Sequence, residues 1–302
     1  MKSETAMDRI VLAPNQPFDL GLTLCCGQAF RWEKRGEWWY GIVADKPFKV
    51  RQKGNTLEFE NISPDFVEKY FGLRDDLPSI LKQIAKDRHV EEAVKALAGL
   101  RILRQDPWEC LISYICATYK NIPAIKWMLF NLSKKFGEKT VFDNLVFYAF
   151  PTPQRLARAS LQELAGCGLG YRAKYVVETA KKVANGNFNF EGLKAISFEK
   201  ARKALLTLSG VGPKVADCVL LFSLEKLEAF PVDVWVKRVL MKYYANHFGD
   251  EFFRKISLKK SLSKAEYERL SFFGRSYFGK YAGYAQEYLF HYERLKACTK
   301  AN

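Results

Sequence analysis

Residues 205–239 read LLTLSGVGPKVADCVLLFSLEKLEAFPVDVWVKRV, and this stretch carries the strongest fold signal in the chain. An apolar helical pattern ends at Leu208, and the residues 209–212 (SGVG) favour a tight turn. Pro213 then stands where the first residue of a second helix is expected. Glycine after one helix and proline at the start of the next predict two helices joined by a short hairpin.

The hairpin is also a predicted anion site. The glycines allow another backbone to approach closely, and the amides of Val211, Gly212 and the opening of the second helix have no predicted partner within a helix. Together with the helix dipole, such amides bind phosphate without regard to base sequence. We therefore expect Gly210, Val211 and Gly212 to contact a DNA backbone.

Lys214 and Asp233 are placed at the starts of two successive predicted helices. The positive end of the helix dipole at Lys214 disfavours a charged amine, and Asp233, after Pro231, is predicted to cap a helix over 234–244. A neutral amine near a carboxylate is what Schiff-base chemistry requires. Taken alone, the two residues are more often a solvated lysine at a helix end and a simple capping carboxylate.

Composition limits the class of protein and its partners. The chain has 302 residues, of which 48% are hydrophobic, so it can bury a substantial core in one large or two moderate domains. Its 48 Lys and Arg against 33 Asp and Glu give a formal net charge of +15, which favours an anionic polymer as partner. Seven scattered cysteines, no signal peptide and no long apolar run indicate a reducing intracellular environment and no membrane partner.

Strand signals occupy the N-terminal third of the chain, with turn residues between them, and predict an antiparallel meander. The predicted strands are 18–24, 28–34, 38–44, 47–52 and 56–61. Helical periodicity begins at Pro64, continues over 78–97, and recurs from Pro107 and over 156–167. We therefore predict an α+β protein with an antiparallel β-rich N-terminal domain and flanking helices over 1–103, followed by an all-helical domain over 104–302.

Two further residue pairs share a helix face. Gln286 and Phe290 are at positions i and i+4, so their side chains lie side by side on one helix face. The Gln286 amide can hydrogen-bond the edge of a nucleic-acid base, and the Phe290 ring can stack on the plane of that base. Lys214 and Cys218 have the same spacing in the second hairpin helix. Most of the aromatic residues around Gln286 must be core, and a buried small hydrophobe is the usual alternative for Cys218.

The motifs LSGVGPKVADC (208–218) and PVDVW (231–235) resemble those of the helix-hairpin-helix, Gly-Pro-Asp superfamily of DNA glycosylases, and specifically its 8-oxoguanine DNA glycosylase branch. Matching blocks occur in the family's order, so the resemblance covers nearly the whole chain; they are CGQAFRW (26–32), RQDPWECLISYICA (104–117), GLGYRAKYV (168–176) and YAGYAQEYLF (281–290). The resemblance implies a monomeric enzyme of base excision repair that needs no cofactor. It would excise 8-oxoguanine from duplex DNA through a lysine Schiff base and nick the strand by β-elimination.

The same resemblance assigns roles to individual residues. Lys214 matches the family's nucleophile, and Asp233 matches the aspartate that stabilises positive charge on the sugar. Four further residues match the family's base pocket: Gly27 approaches the extruded base, Gln286 bonds its pairing edge, and Phe290 and Cys218 stack on its two faces. A bulge glycine is the alternative for Gly27.

Other matching residues would contact the DNA around the extruded base. Tyr171 corresponds to the wedge that enters the base stack, and Arg172 to a contact with the estranged cytosine. The chain keeps Asn121, the last residue of the family's asparagine run. It departs from the eukaryotic pattern at Tyr119 and Ala124, where an asparagine and an arginine contact the cytosine, and at Trp235, where a histidine lies near the phosphate. We therefore expect weak selection of the opposite base.

The sequence fits a metal site and two rival functions less well than this interpretation. Related branches bind an iron–sulfur cluster through four C-terminal cysteines, but only Cys298 follows Cys218, and three widely spaced histidines give no zinc motif, so we predict no metal. An alkylpurine glycosylase of the same superfamily would keep Asp233 but lack Lys214. A non-enzymatic hairpin protein that binds DNA would leave Asp233 and Gln286 without a role.

Overall fold

The computed structural model describes residues 7–43, 45–186 and 188–299. Among them, the N-terminal part forms a five-stranded antiparallel sheet in the order β1-β5-β4-β3-β2. Its strands are β1 Asp8–Val11, β2 Trp32–Arg35, β3 Trp38–Val43, β4 Lys46–Lys53 and β5 Thr56–Glu60. The predicted meander is confirmed for β2 to β5, which pair consecutively. Strand β1 was not predicted and pairs with β5 at the sheet edge.

One face of the sheet is buried because side chains alternate along each strand. Phe48 and Val50 in β4, together with Leu57 and Phe59 in β5, are fully buried. The ring of Trp32 packs edge-on against Phe48 with 5.0 Å between ring centroids. These residues form a core of their own beneath the sheet, separate from the larger core among the helices.

Two of the strand predictions differ from the structure. The predicted strand 18–24 is wrong, because this segment forms the helix α1 Leu20–Cys25. Asp19 caps that helix by accepting a hydrogen bond from the Leu22 amide at 2.7 Å. Of the predicted strand 28–34, only the last part is extended, in β2. The final residue of predicted strand 38–44 lies outside the described residues.

The helical part supplies most of the molecule. Its helices are α2 Pro64–Tyr70, α3 Leu77–Ile84, α4 Arg88–Ala96, α5 Pro107–Ala117, α6 Ile122–Phe136, α7 Pro153–Ala157, α8 Leu161–Gly166, α9 Arg172–Ala184, α10 Phe190–Ala195, α11 Phe198–Leu205, α12 Pro213–Ser223, α13 Val234–Tyr243, α14 Asp250–Ser257, α15 Lys264–Phe278 and α16 Ala282–Thr299. Short 3-10 helices span Ala245–His247 and Gly279–Tyr281. The predicted α+β class is confirmed by the sheet followed by helices.

Two predicted helices are interrupted where a capping side chain starts a new one. The segment 78–97 divides into α3 and α4, and Asp87 caps α4 by accepting from the amides of His89 at 2.8 Å and Val90 at 3.2 Å. The segment 156–167 divides into α7 and α8, where Ser160 and Glu163 form a capping box. The domain boundary at 103/104 stays a prediction.

A hairpin that was not predicted connects the two parts of the chain. Strands β6 Lys139–Phe142 and β7 Leu145–Tyr148 pair with each other, and Asp143 and Asn144 at the tip have φ of 52° and 59°. Asp143 accepts hydrogen bonds from the Tyr40 hydroxyl at 2.7 Å and the Lys49 amine at 2.8 Å. The hairpin therefore holds the β-sheet against the helices.

Candidate active site

The predicted helix-hairpin-helix is confirmed in α11, α12 and the turn between them. Gly210 has φ of +75°, and a Cβ atom there would lie 2.6 Å from Cβ of Tyr175. Both the backbone conformation and the close approach therefore require glycine at this position. Pro213 is the first residue of α12, and no side chain caps that helix, so its first amides remain available to an anion.

The structure differs from the prediction at one hairpin amide. The Val211 N–H donates to the Leu208 carbonyl at 3.3 Å, and the Val211 side chain is buried. Val211 therefore anchors the turn to the core and does not offer a free amide. We therefore expect the backbone amides of Gly212 and of the first turn of α12 to contact the phosphate. Gly212 has open space around its Cα atom.

Asp233 is confirmed as the N-cap of α13. Its Oδ1 atom accepts from the Trp235 amide at 2.9 Å and from the Val236 amide at 2.8 Å. Burial raises the pKa of the Asp233 carboxyl above its ordinary value, while the amide donors and the nearby Lys214 oppose that shift. Both cap bonds use the same oxygen, so Oδ2 takes no part in the cap.

Lys214 and Asp233 line one cavity of about 120 Å³, together with all four residues of the predicted base pocket. Those four are Gly27, Cys218, Gln286 and Phe290. The Lys214 amine lies 4.9 Å from the centre of the Tyr114 ring in α5. Residues from the β-rich part, from α12 and from α16 thus converge on a single site, although they are far apart in the sequence.

Gly27 has φ of +107°, and a Cβ atom there would lie 2.8 Å from Nη1 of Arg294. Arg294 itself donates to the carbonyl oxygens of Cys26 and Cys25, each at 2.8 Å, and lies over the Phe290 ring. This guanidinium therefore contacts both the backbone next to Gly27 and the Phe290 ring. No matched motif identifies Arg294, which sequence reasoning missed.

The cavity presents polar groups that have no partner in the protein. Gln286 is 5% exposed, and its Oε1 atom accepts no hydrogen bond from the described residues. Burial raises the pKa of the Cys218 thiol to about 12, so it stays protonated at neutral pH. A buried amide without a partner is costly unless a ligand supplies the missing bond.

Glu287 also lines the cavity, and sequence reasoning missed it. Its side chain is only 2% exposed, and its Oε1 atom has no hydrogen-bond partner among the described residues. Burial raises the pKa of the carboxyl to about 7. The signal was present as an acidic residue in the otherwise apolar and aromatic run YAQEYLF, next to Gln286.

Two exposed tyrosines mark the rim of the site. Tyr171 is 58% exposed at the start of α9, and Tyr119 is 81% exposed with φ of 55° in the loop after α5. Arg172 lies between them, with its guanidinium over the Tyr171 ring and hydrogen-bonded to the carbonyl of Thr118. The predicted wedge residue is therefore placed where a neighbouring duplex could meet it.

The other two predicted DNA contacts are engaged within the protein. Arg172 is buried and holds backbone carbonyls, so contact with a cytosine would require its guanidinium to move. Asn121 caps α6 by accepting from the Ala124 amide at 3.0 Å, which leaves its side-chain N–H groups free to donate. Across the described ranges, no cluster of three or more potential metal ligands is found. Within those same ranges, no helix is long and apolar enough to cross a bilayer.

An enzyme that acts on an extruded base needs a grip on the DNA backbone next to a closed pocket for that base. Here the uncapped start of α12 lies directly beside the cavity that contains Lys214 and Asp233. This combination defines a DNA glycosylase of the helix-hairpin-helix class.

Comparisons with known proteins identify the family. Residues 10–111 match the family described as 8-oxoguanine DNA glycosylase, N-terminal domain, and residues 114–258 match the HhH-GPD superfamily base excision DNA repair protein. The chain is 33% identical to "N-glycosylase/DNA lyase OGG1" of Arabidopsis thaliana, over 90% of this chain and 76% of that protein. It is 32% identical to "Probable N-glycosylase/DNA lyase" of Methanothermobacter thermautotrophicus, over 93% of this chain and 95% of that protein.

A solved structure agrees with these matches. The 8-oxoguanine glycosylase/lyase of Clostridium acetobutylicum, in complex with double-stranded DNA containing cytosine opposite 8-oxoguanine, superposes with a TM-score of 0.83. The two proteins are 35% identical, and the alignment covers 93% of each chain. The chain therefore belongs to the 8-oxoguanine DNA glycosylase family and is a base excision repair enzyme with both DNA N-glycosylase and AP lyase activity.

Proposed function

We propose that this chain excises 8-oxoguanine from duplex DNA, with Lys214 as the nucleophile and Asp233 as the carboxylate that stabilises the charged sugar. The observation that carries the proposal is the shared cavity. Lys214 and Asp233 line it together with Gly27, Cys218, Gln286 and Phe290. An amine and a carboxylate at a base pocket are the groups that lysine-dependent base release requires.

The base would be held between side chains that the structure already orders. Phe290 lies under Arg294, Cys218 is buried as a neutral thiol, and both line the cavity, where we expect them to contact the two faces of the base. The Gln286 amide can then bond the pairing edge of the base. An N–H group of the base would donate to the Gln286 Oε1 atom, which has no donor within the described residues. The backbone at Gly27 can approach the base closely because no side chain intervenes.

The reaction proceeds by displacement at the sugar. The Lys214 amine bonds to C1′ as the bond between C1′ and N9 of the base breaks, and the electron pair leaves with the base. Asp233 stabilises the positive charge that develops on the sugar. Ring opening of the lysine adduct gives a Schiff base, and loss of a proton from C2′ expels the 3′ phosphate and nicks the strand.

The hairpin and the rim would hold the DNA in a bent form. Gly210, Val211 and Gly212 shape the turn that presents the free amides of α12 to a phosphate, and Tyr171 enters the base stack. Asn121 and Arg172 lie at the same rim. We place the enzyme inside the cell, associated with DNA and acting as a monomer.

Borohydride trapping on a duplex that contains 8-oxoguanine tests the proposal. The unmodified protein should form a covalent complex with DNA, and Lys214→Gln should form none while binding the duplex with nearly unchanged affinity. Lys242→Gln is the matched control, because Lys242 pairs with Glu293 outside the cavity. If Lys214→Gln still traps, another residue is the nucleophile.

A further inference from the structure

We propose that Glu287 is the general acid that protonates the base as it leaves the sugar. The inference rests on the proposed base excision and assigns to it a second reacting group. Glu287 directly follows Gln286 in α16 and lines the same cavity as Lys214 and Asp233. Its side chain is 2% exposed and has an oxygen without a hydrogen-bond partner among the described residues.

The surroundings of Glu287 favour the protonated carboxyl near neutral pH. Burial is the main cause that raises its pKa to about 7, and Asp233 adds to the shift, while the neighbouring Cys26 side chain, Arg294 and Lys214 oppose it. A base that fills the cavity excludes water and should disfavour the carboxylate further. The titratable or charged groups that face Glu287 are Cys26 after α1, Tyr114 in α5, Lys214 and Cys218 in α12, Asp233 at the start of α13, and Arg294 in α16.

Other groups around the cavity are poor proton donors. The thiol of Cys218 has a pKa of about 12, and burial raises the pKa of the Tyr114 hydroxyl well above its ordinary value. Asp233 is already assigned in the proposed reaction as the carboxylate that stabilises the charged sugar, and its Oδ1 atom also accepts both cap hydrogen bonds of α13. General acid catalysis is most effective when the pKa of the acid lies near the working pH, which is the condition that Glu287 meets.

The proton transfer balances within the site. As the Lys214 amine bonds to C1′, the bond between C1′ and N9 breaks and its electron pair moves onto the purine. The Glu287 carboxyl gives its proton to the purine, which departs neutral, and a carboxylate remains. The lysine nitrogen, now bonded to C1′ and positively charged, returns a proton to that carboxylate. The protein thus ends the step with Glu287 protonated again.

The decisive variant is Glu287→Gln, which keeps the size of the side chain but cannot supply the proton. We expect single-turnover release of 8-oxoguanine at pH 6.5 to fall by about a hundredfold. Cleavage of DNA that already contains an abasic site should stay close to that of the unmodified protein, because no base has to leave. Glu293→Gln is the control, since it makes the same change on α16 at a carboxylate that bonds Lys242 and Tyr243.

The pH dependence of base release distinguishes a general acid from a residue that only supports the structure of the pocket. Glu287 can act only while it is protonated, and its protonated fraction falls about tenfold per pH unit above pH 7. The ratio of the two base-release rates, unmodified protein to Glu287→Gln, should therefore fall by the same factor. A constant ratio from pH 6 to pH 9 would overturn the inference. Equal losses of base release and abasic-site cleavage would overturn it as well, because they indicate a distorted pocket.

Glu287→Ala covers the case in which the glutamine variant does not fold. The cavity left by alanine can admit a small carboxylic acid, and added formate should restore part of the lost base release in proportion to its protonated fraction. No restoration in a variant that still cleaves abasic-site DNA would contradict the role of Glu287. If the unmodified protein released no 8-oxoguanine at all, the proposed function would fail and this inference with it.

Discussion

Asp233 caps a helix through one oxygen, and we propose that it also stabilises the charged sugar. Its Oδ1 atom accepts both cap hydrogen bonds of α13, and the residue also lines the cavity beside Lys214. The tasks are separable, because asparagine caps a helix about as well as aspartate but carries no charge. We therefore expect Asp233→Asn to slow base release by about a hundredfold or more, through lost stabilisation of the charged sugar.

Denaturation and single-turnover excision, measured on two variants, check this prediction. Asp233→Asn should leave the free energy of unfolding nearly unchanged, whereas Asp233→Ala should lower it by about 0.5–2 kcal/mol. Both should lose base release to a similar degree. Full activity in a folded Asp233→Asn protein would show that the carboxylate acts only as a cap.

At the scale of residues, the sequence predicted those side chains whose role depends on a local motif. The cap at Asp233 and the glycine at position 210 follow from turn and helix-end chemistry alone. Glu287 is visible in the sequence as an acidic residue within an apolar run, but its burial, like that of the Arg294 contacts, depends on how α16 packs against distant parts of the chain. The hydrogen bond from Arg172 to the Thr118 carbonyl could not be predicted from the sequence either, because it forms only when α9 packs against α5.

At the scale of elements, the loop after α5 and the start of α9 together form the rim that would face the opposite base. The family resemblance implies that Tyr119 and Ala124 replace an asparagine and an arginine of the eukaryotic pattern, and Arg172 donates to a backbone carbonyl. A charge-assisted hydrogen bond is worth about 1.5–3 kcal/mol, or about tenfold to a hundredfold in relative rate. We therefore expect excision opposite thymine, guanine or adenine to be only modestly slower than opposite cytosine.

Single-turnover rates on the four duplexes decide this prediction. Ala124→Arg should sharpen the preference for cytosine, because it restores a cation at the rim. A cytosine preference of about a thousandfold in the unmodified protein would exceed what these missing contacts allow and would contradict this interpretation of Tyr119 and Ala124.

Two elements that sequence reasoning did not predict correctly have different physical causes. In 18–24, apolar residues alternate as they do in a strand, but the segment is too short to distinguish a period of two from a helical period. The Asp19 side chain caps the first turn and so stabilises the helix. The hairpin of β6 and β7 has a sequence signal in Asp143-Asn144, two turn-forming residues between two short apolar segments. Asp143 and Asn144 both adopt positive φ, which is the conformation of a tight two-residue turn.

At the scale of the whole molecule, the excess of positive charge is the property that DNA binding should report most directly. The net charge is +15, and each phosphate neutralised releases counterions. We expect the logarithm of the binding constant to fall with the logarithm of salt concentration, with a slope of about −0.9 per phosphate contacted. Fluorescence anisotropy between about 50 and 200 mM salt measures it, and a flat plot would exclude binding dominated by phosphates.

The bond between Arg294 and the carbonyls of Cys25 and Cys26 joins one of the first helices to the last one. During synthesis, Lys214 and Asp233 leave the ribosome before α16, so a growing chain already carries its reactive amine and carboxylate while the base pocket still lacks Gln286, Glu287 and Phe290. Such a chain lacks the part of the pocket wall that α16 supplies. The reactive residues are therefore made before the pocket that selects a base, and the complete set of pocket residues is present only after α16 has been synthesised.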